Sequence, residues 1–135
     1  MLDAAQGSSL AFSQLLDPQV IASASTVTSP STAGYWLDQT LYEGYILYCL
    51  GYGTITATSS SAQLESSATA TGGTPLSGGT SAAFAAILAA NSPAQQSLLL
   101  PANFFANRYV GIAVTTVGAG NTPVYAFAVG GLRSP

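Results

Sequence analysis

Lysine and histidine are missing from this sequence altogether, and its charged side chains are Asp3, Asp17, Asp38, Glu43, Glu65, Arg108 and Arg133. At 5% charged residues the chain stands far below the roughly 25% of an average soluble domain. Each absence excludes a class of chemistry. A serine or cysteine nucleophile needs a base, usually imidazole or amine, so Ser-His-Asp, Cys-His and Ser-Lys arrangements are out. A Schiff base to pyridoxal phosphate needs a lysine. Zinc, copper and non-haem iron centres draw on histidine or several cysteines, and Cys49 stands alone. Nucleic acid is excluded as a partner, because two arginines against five carboxylates cannot neutralise a run of phosphates. The expectation is a protein that is not an enzyme and carries no cofactor or metal.

Long apolar runs are missing as well. Mean hydropathy is +0.40, but the longest such run, 82–90, falls well short of the about 20 residues a spanning helix needs. Alanine inflates the average, and no membrane partner is expected. The first residues, MLDAAQGSS, hold an aspartate and no basic or apolar stretch, so a chain made and kept in a cytoplasm is expected. With no second cysteine there is no internal disulfide, and the leucines flanking Cys49 point to a buried, inert thiol.

What is present is a Ser, Thr, Gly and Ala background carrying short apolar segments between turn residues. A chain of 135 residues is long enough for one domain with its own core. Residues 1–18 read as an N-terminal arm and 19–135 as the domain. The fold class expected is all-β, a jelly roll or β-sandwich of about eight short antiparallel strands with at most one short helix. The segment 44–52, GYILYCLGY, places Tyr45, Leu47 and Cys49 on one face and Ile46, Tyr48 and Leu50 on the other. Apolar character on both faces predicts a central strand or one with a covered outer face. Residues 54–65 predict one or two exposed strands around a turn at 59–61. Phe84, Ile87 and Leu88 fall at i, i+3 and i+4, which favours a short helical turn or irregular crossover over 81–91, with a strand as the alternative. Residues 97–100 read as a strand ended by Pro101. Val110, Ile112 and Val114 alternate inward, and a Gly-Asn turn at 118–121 predicts a hairpin with the strand 123–129.

Few residues remain as candidates for a site. The Gly-rich stretch 70–81 lacks the GK[ST] of a phosphate loop and reads as a surface loop. Asp38, Glu43 and Glu65 are the carboxylates that a glycosidase or calcium site would have to use; Glu65 in its Ser-rich stretch reads as solvated, and no DxDxDG-type calcium spacing is present. The tyrosines around Trp36 could stack on a sugar, but Tyr45 and Tyr48 face opposite sides of one strand, so core packing plus an interface patch is the plainer reading. Arg108 beside Tyr109 suits a subunit contact, where both types are enriched, or a solvent-facing arginine at the start of a strand. The candidate interface residues are Phe12, Tyr35, Trp36, Tyr45, Arg108 and Tyr109.

Three stretches carry a resemblance. Phe12-Ser13, Gln19 and Ser23-Ala24-Ser25-Thr26 lead to Leu37-Asp38; Gln63-Leu64-Glu65-Ser66 precedes the Gly-rich loop; Leu100-Pro101, Arg108-Tyr109-Val110 and Thr116-Val117-Gly118 close the sequence. In this order the chain resembles the capsid cement (decoration) proteins of tailed bacteriophages, of the type on Bordetella phage and its podovirus relatives. It departs from them in the inserted segment 29–34 and in lacking a basic residue ahead of the Arg-Tyr pair. The resemblance implies a jelly roll that self-associates as a homodimer or homotrimer. It also implies binding to the phage major capsid protein on the outer surface of a virion assembled in the host cytoplasm. The alternative is a carbohydrate- or receptor-binding sandwich of a phage fibre, spike or tail.

Overall fold

The computed structural model describes residues 9–72 and 82–133. Nine strands follow one another: β1 (Leu10–Ile21), β2 (Thr26–Thr28), β3 (Leu37–Asp38), β4 (Tyr42–Tyr52), β5 (Ser59–Ser67), β6 (Ala83–Leu88), β7 (Ala94–Pro101), β8 (Tyr109–Val117) and β9 (Thr122–Leu132). They form two antiparallel sheets. The first has the order β1-β9-β4-β7 and the second β2-β8-β5-β6, with β3 also pairing β8. The pairs β1·β9, β2·β8, β4·β7 and β5·β6 are nested, so the chain is in effect one long hairpin rolled into two layers. That is a jelly roll, an all-β sandwich as the turn spacing predicts.

The core lies between the layers. From the first sheet come Leu15, Leu16, Ile46, Tyr48, Leu50, Val124, Ala126 and Ala128; from the second come Leu64, Phe84, Val110, Ile112 and Val114. The alternation expected in β4 and β8 holds, with Ile46, Tyr48 and Leu50 inward and β4 central between β9 and β7.

Four expectations give way to the structure. The division at Pro18 falls inside β1, and Leu15 and Leu16 are fully buried. The described part of the presumed arm is therefore a strand of the sandwich. Two adjacent leucines can both face inward because the register with β9 shifts between Gln14 and Leu16. Residues 118–121 turn the chain but make no hairpin: β8 pairs β2 and β5, while β9 pairs β1 and β4. With the two strands in different layers, Val110, Ile112 and Val114 enter the core between the sheets, where side-by-side pairing would leave both inner faces in need of cover. Residues 83–88 are a strand ending in a single 3-10 turn at Ala89–Asn91. Ser60 pairs Ile87 and Ala62 pairs Phe84, so two residues of β6 stand opposite Ser61. This bulge turns Phe84 and Ile87 to the same side and imitates helical spacing. Finally, β5 is not exposed around a turn. It is a central strand, with Ser60, Ala62, Leu64 and Ser66 buried. The Gly-rich stretch beyond Gly72 lies outside the described residues.

Candidate interface on the outer face of the first sheet

The two outer faces of the sandwich differ in chemistry. On the second sheet, Thr26 and Thr115 lie opposite each other with hydroxyl oxygens 2.8 Å apart, and Ser61, Gln63 and Glu65 follow along β5. This face is hydroxyl- and amide-rich and suits water.

The first sheet presents apolar side chains instead. Phe12 pairs Val129, Val129 pairs Leu47, and Leu47 pairs Leu99, which makes one unbroken apolar row across all four strands. Phe12 is 64% exposed and Leu99 60%. The next row runs Gln14, Phe127, Cys49, Ser97. Phe12 stacks on Phe127 with ring centroids 4.7 Å apart, and Tyr125 lies parallel to Phe127 at 6.1 Å. Tyr125 crosses Gly51 so closely that a β-carbon there would meet its ring at 2.3 Å. Leu10, Tyr45 and Val20 extend the face and are more than half exposed. No charged residue occurs in the two rows. Four strands about 4.8 Å apart, over about six residues per strand from the Phe12 row to the Tyr125 row at a rise of about 3.4 Å each, make a footprint of about 400 Å². That equals the largest apolar patches on ordinary monomers, about 300–600 Å², which are often functional.

Cys49 sits in the second row and is half-buried, not buried as the flanking leucines suggested. Desolvation raises its thiol above the ordinary value, which keeps the proton on sulfur at neutral pH.

Of the six residues singled out from sequence, the structure brings Phe12 and Tyr45 onto this face. Trp36 is a correction. It is 5% exposed, its indole N–H donates to the Pro30 carbonyl at 2.9 Å, and its ring lies against Gly111, so it serves packing and not contact with a partner. Tyr35 is half-buried and donates its hydroxyl to Asp17 Oδ2 at 2.6 Å, a bond that raises its pKa. Arg108 and Tyr109 form a separate group at the start of β8. Arg108 Nη2 lies 2.7 Å from Asp38 Oδ2, and its guanidinium stands 5.2 Å from the Tyr109 ring. Asp38 also accepts from the Thr40 amide and hydroxyl. The Arg108 hydrogen bond, chiefly, holds the Asp38 carboxyl below its ordinary range, against the opposing effect of burial. Of the other carboxylates, Glu65 faces out from β5 and takes a bond from Gln63, while Glu43 stands at the start of β4.

Leu47, Leu99, Tyr125, Phe127 and Val129 were not singled out beforehand. The signal was present in β9, PVYAFAV, where the alanines face the core and the bulky residues alternate with them. A strand with its large side chains on the solvent side is asking for a cover.

The fold is shared with a viral protein of known structure. Over 93% of this chain, the structure superposes on infectious bursal disease virus VP2 in its subviral particle, with a TM-score of 0.56 at 13% identity. The match spans 33% of that VP2 chain, so this chain corresponds to about a third of it. A Bacillus endospore appendage protein from disulfide-linked pili aligns over 98% of this chain and 99% of its own, at 14% identity and a TM-score of 0.40. No protein-family model matches the sequence, and no curated protein matches it. The likeness to VP2 is one of fold.

Proposed function

We propose that this chain is a capsid cement protein: a structural sandwich on the outer surface of a tailed-phage head, held to the major capsid protein by the outer face of its first sheet. The observation that carries this reading is the uncharged apolar row Phe12–Val129–Leu47–Leu99, set back to back with a hydroxyl-rich face that suits solvent. The absence of lysine and histidine supports a mechanical and not a chemical role, and the cement-protein resemblance supplies the partner. A contact of about 400 Å² is half of the about 800 Å² per partner of a standard stable interface. It works where many copies bind one lattice.

The test is occupancy on undecorated heads, read by sedimentation and imaging. The unmodified protein is expected to bind saturably and to stay bound from low to high salt, because no ion pair is needed. Phe12→Lys should lower affinity at least about tenfold, since an exposed phenyl whose burial is worth about 1.5–3 kcal/mol is lost. Release by moderate salt, or full occupancy by Phe12→Lys, counts against the proposal. A sugar-binding sandwich of a fibre or spike is the second reading. It draws on an open, uncharged groove of about 810 Å³ at one end of the same face, where Gln95 Nε2 donates to the Tyr125 hydroxyl at 3.2 Å. Glycan-array binding abolished by Tyr125→Ala would favour it.

A further inference from the structure

One peptide bond of β1 lies where the sheet lets go of it. Leu16 pairs Ala126 and Gln19 pairs Val124, so two residues of β1, Asp17 and Pro18, stand opposite the single residue Tyr125. This bulge takes the peptide group between them out of the ladder, and Pro18 has no N–H to give in any case. Both residues are exposed. Side chains hold the group instead. Gln19 Nε2 donates to the Asp17 carbonyl at 3.1 Å, and the Tyr35 hydroxyl donates to Asp17 Oδ2 at 2.6 Å. Tyr35 comes from the loop between β2 and β3, so the fold and not the local sequence brings it here. An aspartate followed by proline is chemically labile in acid. The side-chain oxygen closes a five-membered ring on its own carbonyl carbon, and the proline nitrogen takes up a proton more readily than an ordinary amide nitrogen does. Having nucleophile and carbonyl in one residue replaces a bimolecular encounter, and a donor on the carbonyl stabilises the oxyanion that forms.

We propose that the bond between Asp17 and Pro18 is a self-cleavage site, with Asp17 as nucleophile, Gln19 on the carbonyl oxygen and Tyr35 on the carboxylate. Tyr35 pins Oδ2 and leaves Oδ1 to attack the Asp17 carbonyl carbon, whose oxygen takes the negative charge against Gln19 Nε2. The C–N bond to Pro18 then breaks as hydronium ion protonates the nitrogen. A cyclic anhydride remains on Asp17, and Pro18 becomes a free secondary amine. Water opens the anhydride to two carboxyl groups. The net change is the addition of one water, with no oxidation or reduction. The reaction turns over once and uses neither lysine nor histidine, both of which the chain lacks. The cut chain keeps its fold, because Leu15 and Leu16 are fully buried and β9 pairs residues on both sides of the cut. The segment that carries Phe12 is then held by pairing and burial alone. The inference concerns β1 and is independent of what the outer face binds.

Denaturing mass spectrometry of the free protein tests it, after incubation at the lowest pH at which the circular dichroism matches that of the neutral protein. Fragments ending at Asp17 and beginning at Pro18 are expected, together heavier than the parent by one water. The folded protein should be cut at least about tenfold faster than the same chain unfolded in urea at the same pH. A donor in a closed site is worth about 100–1,000-fold, and these donors meet water. Equal or slower cleavage of the folded protein overturns the proposal, because the bond is then labile by its sequence alone. Asp17→Glu, whose ring would have six members, should remove the cut; cleavage at the parent's rate overturns the proposal. Gln19→Ala and Tyr35→Phe should each slow the folded protein several-fold and leave the rate in urea unchanged. Folded-state rates equal to the parent's in both variants overturn it as well.

Discussion

Replacing Gly111 with alanine tests how the lone tryptophan is held. Gly111 is the third residue of β8, and a β-carbon built on it would stand 2.7 Å from Trp36 Cε3 and Cζ3 and 2.9 Å from Cη2. Comfortable carbon contacts lie at about 3.5–4.0 Å, so the indole must withdraw by roughly 1 Å. Overpacking of this kind costs about 1–3 kcal/mol. The alanine returns about 0.5–1 kcal/mol by restricting the unfolded chain. If the ring also lets go of the Pro30 carbonyl, about 1 kcal/mol more is lost. A net destabilisation of about 1–2 kcal/mol follows from these terms. At about 2.1 cal/mol/K per residue of unfolding entropy, Tm falls by about 4–7 °C. Urea titration followed by tryptophan emission reads both effects, because the chain has one tryptophan. The emission should shift to the red in the folded variant as the indole gains water. In a Trp36→Leu background the cost of the alanine should largely vanish. A variant within about 0.5 kcal/mol of the parent, with an unmoved emission maximum, would show that Trp36 does not rest on this glycine.

The buried hydroxyls give a contrasting pair. Ser60 Oγ donates to Thr122 Oγ1 at 2.8 Å and ties the two sheets together, whereas the buried Thr116 hydroxyl has no partner among the described residues. Ser60→Ala should cost about 1–3 kcal/mol, and Thr116→Val should be neutral or stabilising by up to about 1 kcal/mol, both by urea titration. Stability should be flat from about pH 5 to 9, since no imidazole is present to titrate. Asp38 has its pKa lowered by Arg108. Its stabilisation is present above the unfolded value of about 3.9 and lost as pH falls through the folded one, so Asp38→Asn should flatten the acid limb. Tyr48 and Tyr52 are raised by burial, Tyr52 to about 12. Their contribution is present below about pH 10 and lost as pH rises. Tyr52→Phe removes a buried hydroxyl that has no partner among the described residues. It should leave stability unchanged at neutral pH and reduce the alkaline loss.

The sequence by itself determined the all-β architecture and the set of titratable side chains available to it. Period-two alternation in 44–52 and 109–117, with turn residues between short apolar segments, is local information, because each strand must present one face to a core whatever its neighbours are. The missing lysine and histidine needed no structure at all. Tertiary structure decided which strands are neighbours. The turn at 118–121 has hairpin chemistry, yet the rolled topology gives β8 to the second sheet and β9 to the first. Bulges were equally invisible. A two-against-one pairing at Ser61 made 83–88 look helical, and a register shift in β1 let Leu15 and Leu16 both face the core. The candidate interface was half legible: Phe12 and Tyr45 could be named from their chemistry, while Leu47, Leu99 and Phe127 became a surface only when four strands from distant parts of the chain lined up. Alternation tells a residue that it has a face, but strand order and register alone tell it what lies beside it, because those depend on contacts between residues far apart in the chain.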